Sequence, residues 1–356
     1  MTIRYLASAL VLAAMAWLPS GSASGDTPAY AIAADHHMHI GSPAAERRHD
    51  LLCTRIKCVG ISRGASTGAD AVGALDQGGI QRGVLLSMAY MAASPVLGET
   101  QAQIASDIRA ENEYTVAEAA ASCGRLSAFI SINPNSDNAL DELGYWLRRG
   151  GAAGLKLHLG SSHFDFASPT QVERLAAVFK AAGDAHMPII VHLRGGDPTY
   201  GAATIGIFLQ RVLPAAHGDF VQIAHSGGWG GADETALSAL GAFADAISRG
   251  SGGTENLAFD MAVMPDWSGG RASAEAVARY VQLMRQIGIG RFLLASDWVK
   301  GTDLRAYYAS TRSRLNLTDA EWRTLAGNVA PYFRSSAGKG GKRPGCSRHE
   351  ATGPSS

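Results

Sequence analysis

A chain of 356 residues with 46% hydrophobic and 17% charged residues has the apolar material for a large core and too little charge to remain a solvated tail. Its length admits one large domain or two ordinary ones and excludes a small disulfide scaffold. Lys plus Arg and Asp plus Glu number 31 each, with no basic stripe, so nucleic acid is not an expected partner. The 42 glycines exceed the usual ~7% and point to many tight connections.

In chain order, Arg4 precedes the uncharged apolar run Leu6 to Leu18, and small residues follow through Ser24. This is the pattern of a secretory signal peptide over residues 1–24, and the run is too short for the ~20 residues of a membrane-spanning helix. The expectation is an exported protein, periplasmic or secreted, with no membrane association after cleavage. Four cysteines then enter an oxidising compartment. Cys53 and Cys58, five apart, are placed either for a local bridge or as two thiols, and Cys123 and Cys346 are expected to be free; a zinc knuckle is disfavoured because no second pair lies nearby.

Eight short apolar runs follow: Ala31 to Ile40, Gly83 to Tyr90, Leu126 to Ile132, Ala153 to Leu159, Pro188 to Leu193, Phe220 to Ala224, Leu257 to Val263 and Phe292 to Ala295. Helical periodicity lies between them, as in Val172, Leu175, Val178 and Phe179 after the start signal Ser168-Pro169. Alternating strands and helices predict a parallel sheet of the α/β class. The eight runs span about 265 residues, close to the ~250 of a (β/α)8 barrel, and no Gly-x-Gly-x-x-Gly turn follows the first run, so a single-domain barrel over residues 25–334 is preferred to an open sheet. Gly41 to Ser66 reads as a long connection over the barrel mouth, and residues 335–356 as a disordered tail.

Polar residues gather where the runs end, which in such a barrel is the reactive face. The first run ends Asp35-His36-His37-Met38-His39, and a period of two puts His37 and His39 on one face with Asp35 behind them. Lys156 and His158 share a face in the fourth run, His192 and His225 close the fifth and sixth, and Asp297 follows the eighth. His37, His39, His192 and Asp297 together form a nitrogen and oxygen ligand set suited to a divalent transition metal. Arg194 shares its face with His192 and is placed to bind a substrate carboxylate, and Tyr90, Tyr200, Trp229, Met264 and Trp298 are candidates for the pocket wall.

These motifs, Asp-x-His-x-His at 35–39, Gly-Leu-Lys-Leu-His at 154–158, Val-His at 191–192, Ala-His-Ser-Gly-Gly at 224–228, Ala-Ser-Asp-Trp at 295–298 and Gly-Asn at 327–328, resemble those of the amidohydrolase-related metal-dependent hydrolases. The resemblance covers about residues 31–333 and implies a distorted barrel with one catalytic metal, zinc first and manganese or another divalent ion next. It implies His37, His39, His192 and Asp297 as ligands, His225 as general acid or base, and Asp297 as a second catalytic group. Lys156 stands where related two-metal barrels carry a bridging carbamylated lysine; it is equally suited to bind an anion. The group contains hydrolases, non-oxidative decarboxylases of aromatic and related acids, and lactone hydrolases that work without metal. Export favours hydrolysis of a small ester, lactone or amide over decarboxylation, and a non-catalytic binding protein on the same scaffold is the rival from another class. The expected partner is a small-molecule substrate, and a homo-oligomer is compatible with the sequence.

Overall fold

The computed structural model describes residues 31–55, 64–195, 197, 199–264 and 272–335. Among them eight parallel strands follow one another in sheet order: β1 Ala34–Ile40, β2 Arg82–Ser87, β3 Leu126–Ser131, β4 Gly154–His158, β5 Ile189–His192, β6 Val221–Ile223, β7 Leu257–Asp260 and β8 Phe292–Leu293. Because β8 is short, the segment after it completes the ring. The His36 N–H donates to Leu294 O at 3.0 Å, Trp298 N–H to His37 O at 3.3 Å and His39 N–H to Trp298 O at 2.8 Å. The protein is a single-domain (β/α)8 barrel, as the alternation of runs predicts.

The helices are α1 Pro43–Arg55, α2 Gly68–Gly78, α3 Gln101–Ala121, α4 Ala139–Arg149, α5 Pro169–Asp184, α6 Ala202–Ile207, α7 Glu234–Ser248, α8 Ala274–Ile287, α9 Leu304–Arg314, α10 Asp319–Gly327 and α11 Tyr332–Ser335. Local sequence sets their starts. Thr67 with Asp70, Thr100 with Gln103 and Thr318 with Glu321 form reciprocal capping boxes, and α5 begins with Ser168 as cap and Pro169 in its first turn.

Alternation along the strands separates two cores. Leu155 and Leu157 turn outward to Trp146, Val172 and Leu175 under the helices. Inside the barrel, Val84, Leu86, Phe129, Ile190, Ala258 and Leu293 pack with Tyr332 and Phe333 of α11. Tyr332 meets Phe129 edge-on at 5.0 Å between ring centres and donates its hydroxyl to Gln222 Oε1 at 2.9 Å. This apolar plug leaves the polar inward residues, Lys156, His158, His192 and Asp260, toward the opposite end, where the strands finish.

Two expectations are corrected, and the long connection after β1 gains a helix. It contains α1, whose Leu52 packs on Met88, Tyr90, Met91 and Leu97, while Arg55 donates to Val96 O and Leu97 O at 2.7 and 2.8 Å. The Ala45, His49 and Leu52 spacing supplies its buried face despite the surrounding charge. Cys123 is not free. It and Cys53 are both disulfide-bonded, while Cys58 and Cys346 lie outside the described residues. The runs also overshoot, since β2 stops at Ser87 before a 3-10 turn at Ala89–Ala93 and β7 stops at Asp260. Residues 1–30 and 336–356, which include the expected signal segment and nearly all of the expected tail, lie outside the described residues. Among the described residues no helix is long and apolar enough to cross a membrane.

Candidate metal centre

β1 carries a bulge between Asp35 and Met38, so the simple period of two fails there. Asp35 turns toward the segment after β8, where it accepts from the Ser296 hydroxyl at 2.5 Å and the Ser296 N–H at 3.1 Å. His36 is used structurally: its Nδ1–H donates to Leu294 O at 2.8 Å and its Nε2 accepts from the Ala330 N–H at 3.2 Å. Burial pushes the His36 imidazolium down to about 4, against the opposing pull of the Leu294 carbonyl and Asp260.

His37 and His39 converge as the sequence predicts. His37 Nδ1 donates to Asp260 Oδ2 at 3.0 Å and His39 Nδ1 donates to Leu86 O at 3.0 Å. Each bond leaves the lone pair on Nε2, and the two Nε2 atoms face each other at 3.2 Å. Asp297 Oδ1 lies 3.4 Å from His37 Nε2 and 3.3 Å from His39 Nε2. Two lone pairs and a carboxylate at these distances repel one another unless a cation or proton stands between them. Protonation of His37 is opposed: burial pushes its imidazolium down to about 3, with Lys156 acting in the same direction against Asp260. Donor atoms of His37, His39 and Asp297 all lie within 4.8 Å of one another, a geometry a divalent ion fits.

His192 stands outside that triad but beside it. Its Nε2 is buried and has no hydrogen-bond partner among the described residues, an arrangement that a ligand relieves. Its ring stacks on His158 at 4.2 Å and meets His225 at 4.9 Å and Trp229 at 4.7 Å. His158 in turn stacks on Tyr90 at 4.6 Å, and its Nδ1 accepts from the Ser161 N–H at 3.0 Å, which places its proton on Nε2. Burial, reinforced by neighbouring cationic and imidazole groups, keeps both His158 and His192 well below the usual histidine range, so both are neutral.

His225 lies 4.8 Å from His37 between ring centres. Its Nδ1 donates to Ala262 O at 3.1 Å, leaving Nε2 as a base. The residue sits in the left-handed region (φ 51°), as do Ser226 (φ 50°) and Asp297 (φ 58°), each at a cost of about 1–2 kcal/mol for a side chain other than glycine. Three such residues at one strand-end face are backbone strain concentrated at the site. Lys156 Nζ lies 3.5 Å from His37 Nε2, and burial lowers its ammonium to about 8, so it remains largely cationic at neutral pH.

Other predicted residues have structural work. Arg194 Nη1 donates to Asp233 Oδ2 at 2.7 Å, tying the guanidinium to the cap of α7. Tyr200 donates to Gly227 O at 2.7 Å, Trp298 Nε1 to Thr302 O at 3.2 Å, and Met264 Sδ accepts from the Gly231 N–H at 2.7 Å. Of the five proposed wall residues, Tyr90 and Trp229 meet the histidines.

One residue at the centre escaped the sequence reading. Asp260 is fully buried at the end of β7 and accepts from His37 Nδ1, from Gln222 Nε2 at 2.8 Å, and from the N–H groups of His225 at 2.8 Å and Ala262 at 3.2 Å. Burial alone would raise its carboxyl, but His37, His225 and the Gln222 amide hold it well below the usual carboxylate range. The signal was the one that found Asp297, a carboxylate closing an apolar run.

No family model and no curated protein matches the sequence. Solved structures do. A Pseudomonas putida protein described as a 2-pyrone-4,6-dicarboxylic acid hydrolase is 17% identical with a TM-score of 0.55, covering 85% of this chain and 97% of its own. A 5-carboxyvanillate decarboxylase from Sphingomonas paucimobilis is 13% identical with a TM-score of 0.58, covering 86% and 99%. A Staphylococcus aureus protein described as an amidohydrolase is 14% identical with a TM-score of 0.53, covering 85% and 99%. At these identities the likeness is one of fold, and the chain carries the barrel fold shared by these amidohydrolase-type structures.

Proposed function

We propose that the protein is a metal-dependent enzyme of the amidohydrolase-related group that hydrolyses a small ester, lactone or amide. The observation that carries this reading is the facing pair of His37 and His39 Nε2 atoms at 3.2 Å, with Asp297 Oδ1 within 3.4 Å of both and the unpartnered His192 Nε2 nearby. His37, His39 and Asp297 would hold one divalent ion, zinc first, with His192 as a further ligand. Such an ion supplies Lewis acidity toward a carbonyl oxygen and lowers the pKa of water.

The chain's own groups do the rest. His225 Nε2 takes a proton from the attacking water and returns it to the leaving group, a role usually worth ~10²- to 10⁴-fold in rate. Asp297 is placed to orient that water as well as to bind the ion. The rings of Tyr90, His158, His192 and Trp229 form a wall that orients the substrate and excludes bulk water. The complete donor set disfavours a non-catalytic scaffold. A second reading, non-oxidative decarboxylation of an aromatic or related acid, is favoured by the buried Lys156 cation beside the ligands, which suits a carboxylate. Arg194, held by Asp233, is a weaker candidate for that contact. Export with removal of residues 1–24 belongs to the same proposal; N-terminal sequencing of secreted protein tests it, and a retained Met1 rejects it.

The deciding experiment is metal analysis of purified protein followed by a screen of esters, lactones, amides and aromatic carboxylic acids. Hydrolysed product that requires bound metal supports the first reading; CO2 release without hydrolysis replaces it with the second. In an active hydrolase, His225→Ala lowers kcat about 10²- to 10⁴-fold with metal content retained, whereas Asp297→Ala loses the metal too.

A further inference from the structure

Resting on the metal-site reading above, we propose that Asp260 is a positioning residue that ties metal capture to placement of the acid–base histidine, holding His37 by its ring and His225 by its main chain. Its two carboxylate oxygens are divided between these tasks. Oδ2 accepts from His37 Nδ1 at 3.0 Å and from Gln222 Nε2 at 2.8 Å. Oδ1 accepts from the His225 N–H at 2.8 Å and the Ala262 N–H at 3.2 Å. The main-chain carbonyl of Asp260 also accepts from the Ser226 hydroxyl at 3.0 Å. One residue therefore fixes the ligand ring and the left-handed turn that presents His225 and Ser226.

The consequence is a choice of tautomer. With an ionised acceptor at Nδ1, His37 keeps its proton on that atom and offers Nε2 to the site. Asn at position 260 is nearly isosteric but cannot serve both sides. Its carbonyl oxygen is required by the two main-chain N–H groups, so its amide nitrogen faces His37 and Gln222. That amide donates to His37 Nδ1, moves the imidazole proton to Nε2 and blocks the atom that would bind metal.

The test measures zinc affinity of the full chain by competition with a chromogenic chelator, for wild type, Asp260→Asn and Gln222→Met. Gln222 bonds the same Asp260 oxygen as His37 but neither His37 nor His225 itself, so its replacement perturbs the same buried network while leaving a carboxylate as the acceptor of His37 Nδ1. Expected are a loss of about 10- to 100-fold in affinity for Asp260→Asn and a clearly smaller loss for the less stable Gln222→Met, whereas equal losses in the two variants overturn the tautomer argument. Should Asp260→Asn fail to fold, ¹⁵N-histidine NMR of metal-free wild type decides: a protonated Nδ1 on His37 supports the proposal and a protonated Nε2 overturns it. Unchanged zinc affinity in folded Asp260→Asn overturns the positioning role alone, whereas a wild-type protein that binds no zinc overturns the metal reading beneath it.

Discussion

Asp35 and Ser296, 261 positions apart in sequence, are joined by two hydrogen bonds, from the serine hydroxyl at 2.5 Å and its N–H at 3.1 Å. The pair locks the irregular segment after β8 onto β1 immediately before Asp297, whose left-handed backbone (φ 58°) turns its carboxylate toward His37 and His39. Ser296→Ala removes one buried bond to a carboxyl group and leaves an acceptor oxygen without it, a loss of about 1–3 kcal/mol. Urea unfolding of metal-free protein should show that loss. Because the same bond steadies Asp297, zinc affinity should fall as well.

A bound ion should also stabilise the fold. Anything that binds the native state alone adds RT ln(1 + [L]/Kd), about 2.7 kcal/mol at free ligand 100 times Kd. Zinc added to chelator-stripped wild type should therefore raise the thermal midpoint, and His39→Ala should abolish the increase. An equal increase in His39→Ala would assign the stabilisation to some other site.

The barrel was legible because each parallel strand is a short apolar run between helices with clear starts, such as Ser168-Pro169. His37 and His39 were legible because side chains two apart share a face at the end of β1. The bulge below them was not, since nothing in Asp35-His36 says which of two successive residues turns inward. Asp260 was hidden by reading Leu257 to Val263 as one strand; with β7 ending at Asp260, the carboxylate lies at the reactive face instead of mid-strand. His192 was placed among the ligands by position alone, and only the fold places it outside the tight triad and beside His158 and His225. Arg194 carries the chemistry of an anion binder, but Asp233, the N-cap of α7, already engages it, a pairing that spacing does not reveal.

Gly154 opens β4 with its Cα hydrogen against the Phe129 ring, where an added Cβ would lie 2.2 Å from the nearest ring carbon. Phe129 is fully buried in the interior plug and contacts Tyr332, so the ring has little room to retreat. Gly154→Ala should therefore cost about 1–3 kcal/mol by overpacking. Zinc affinity should survive, because the clash lies at the plug and the ligands lie at the other end of the strands. Equal stability of the variant would show that the plug repacks freely.

Glu321 offers a pH signature remote from the histidines. It accepts from the Thr318 N–H at 2.8 Å in the capping box of α10 and from Arg285 of α8 at 2.6 and 3.0 Å. The Arg285 bonds, followed by the cap, hold its carboxyl at about 2 against an ordinary 4.5. A folded-state pKa below the unfolded value gives stability that is fully present above about 4.5 and lost as the pH falls through about 2. Glu321→Gln keeps a cap acceptor but loses the ion pair, a near-surface contact worth up to about 1 kcal/mol. Denaturant curves at pH 7 should separate wild type from the variant by that amount and converge as the pH is lowered from 4.5 toward 2. A gap that stayed constant across that window would trace the loss to packing of the side chain, not to its charge.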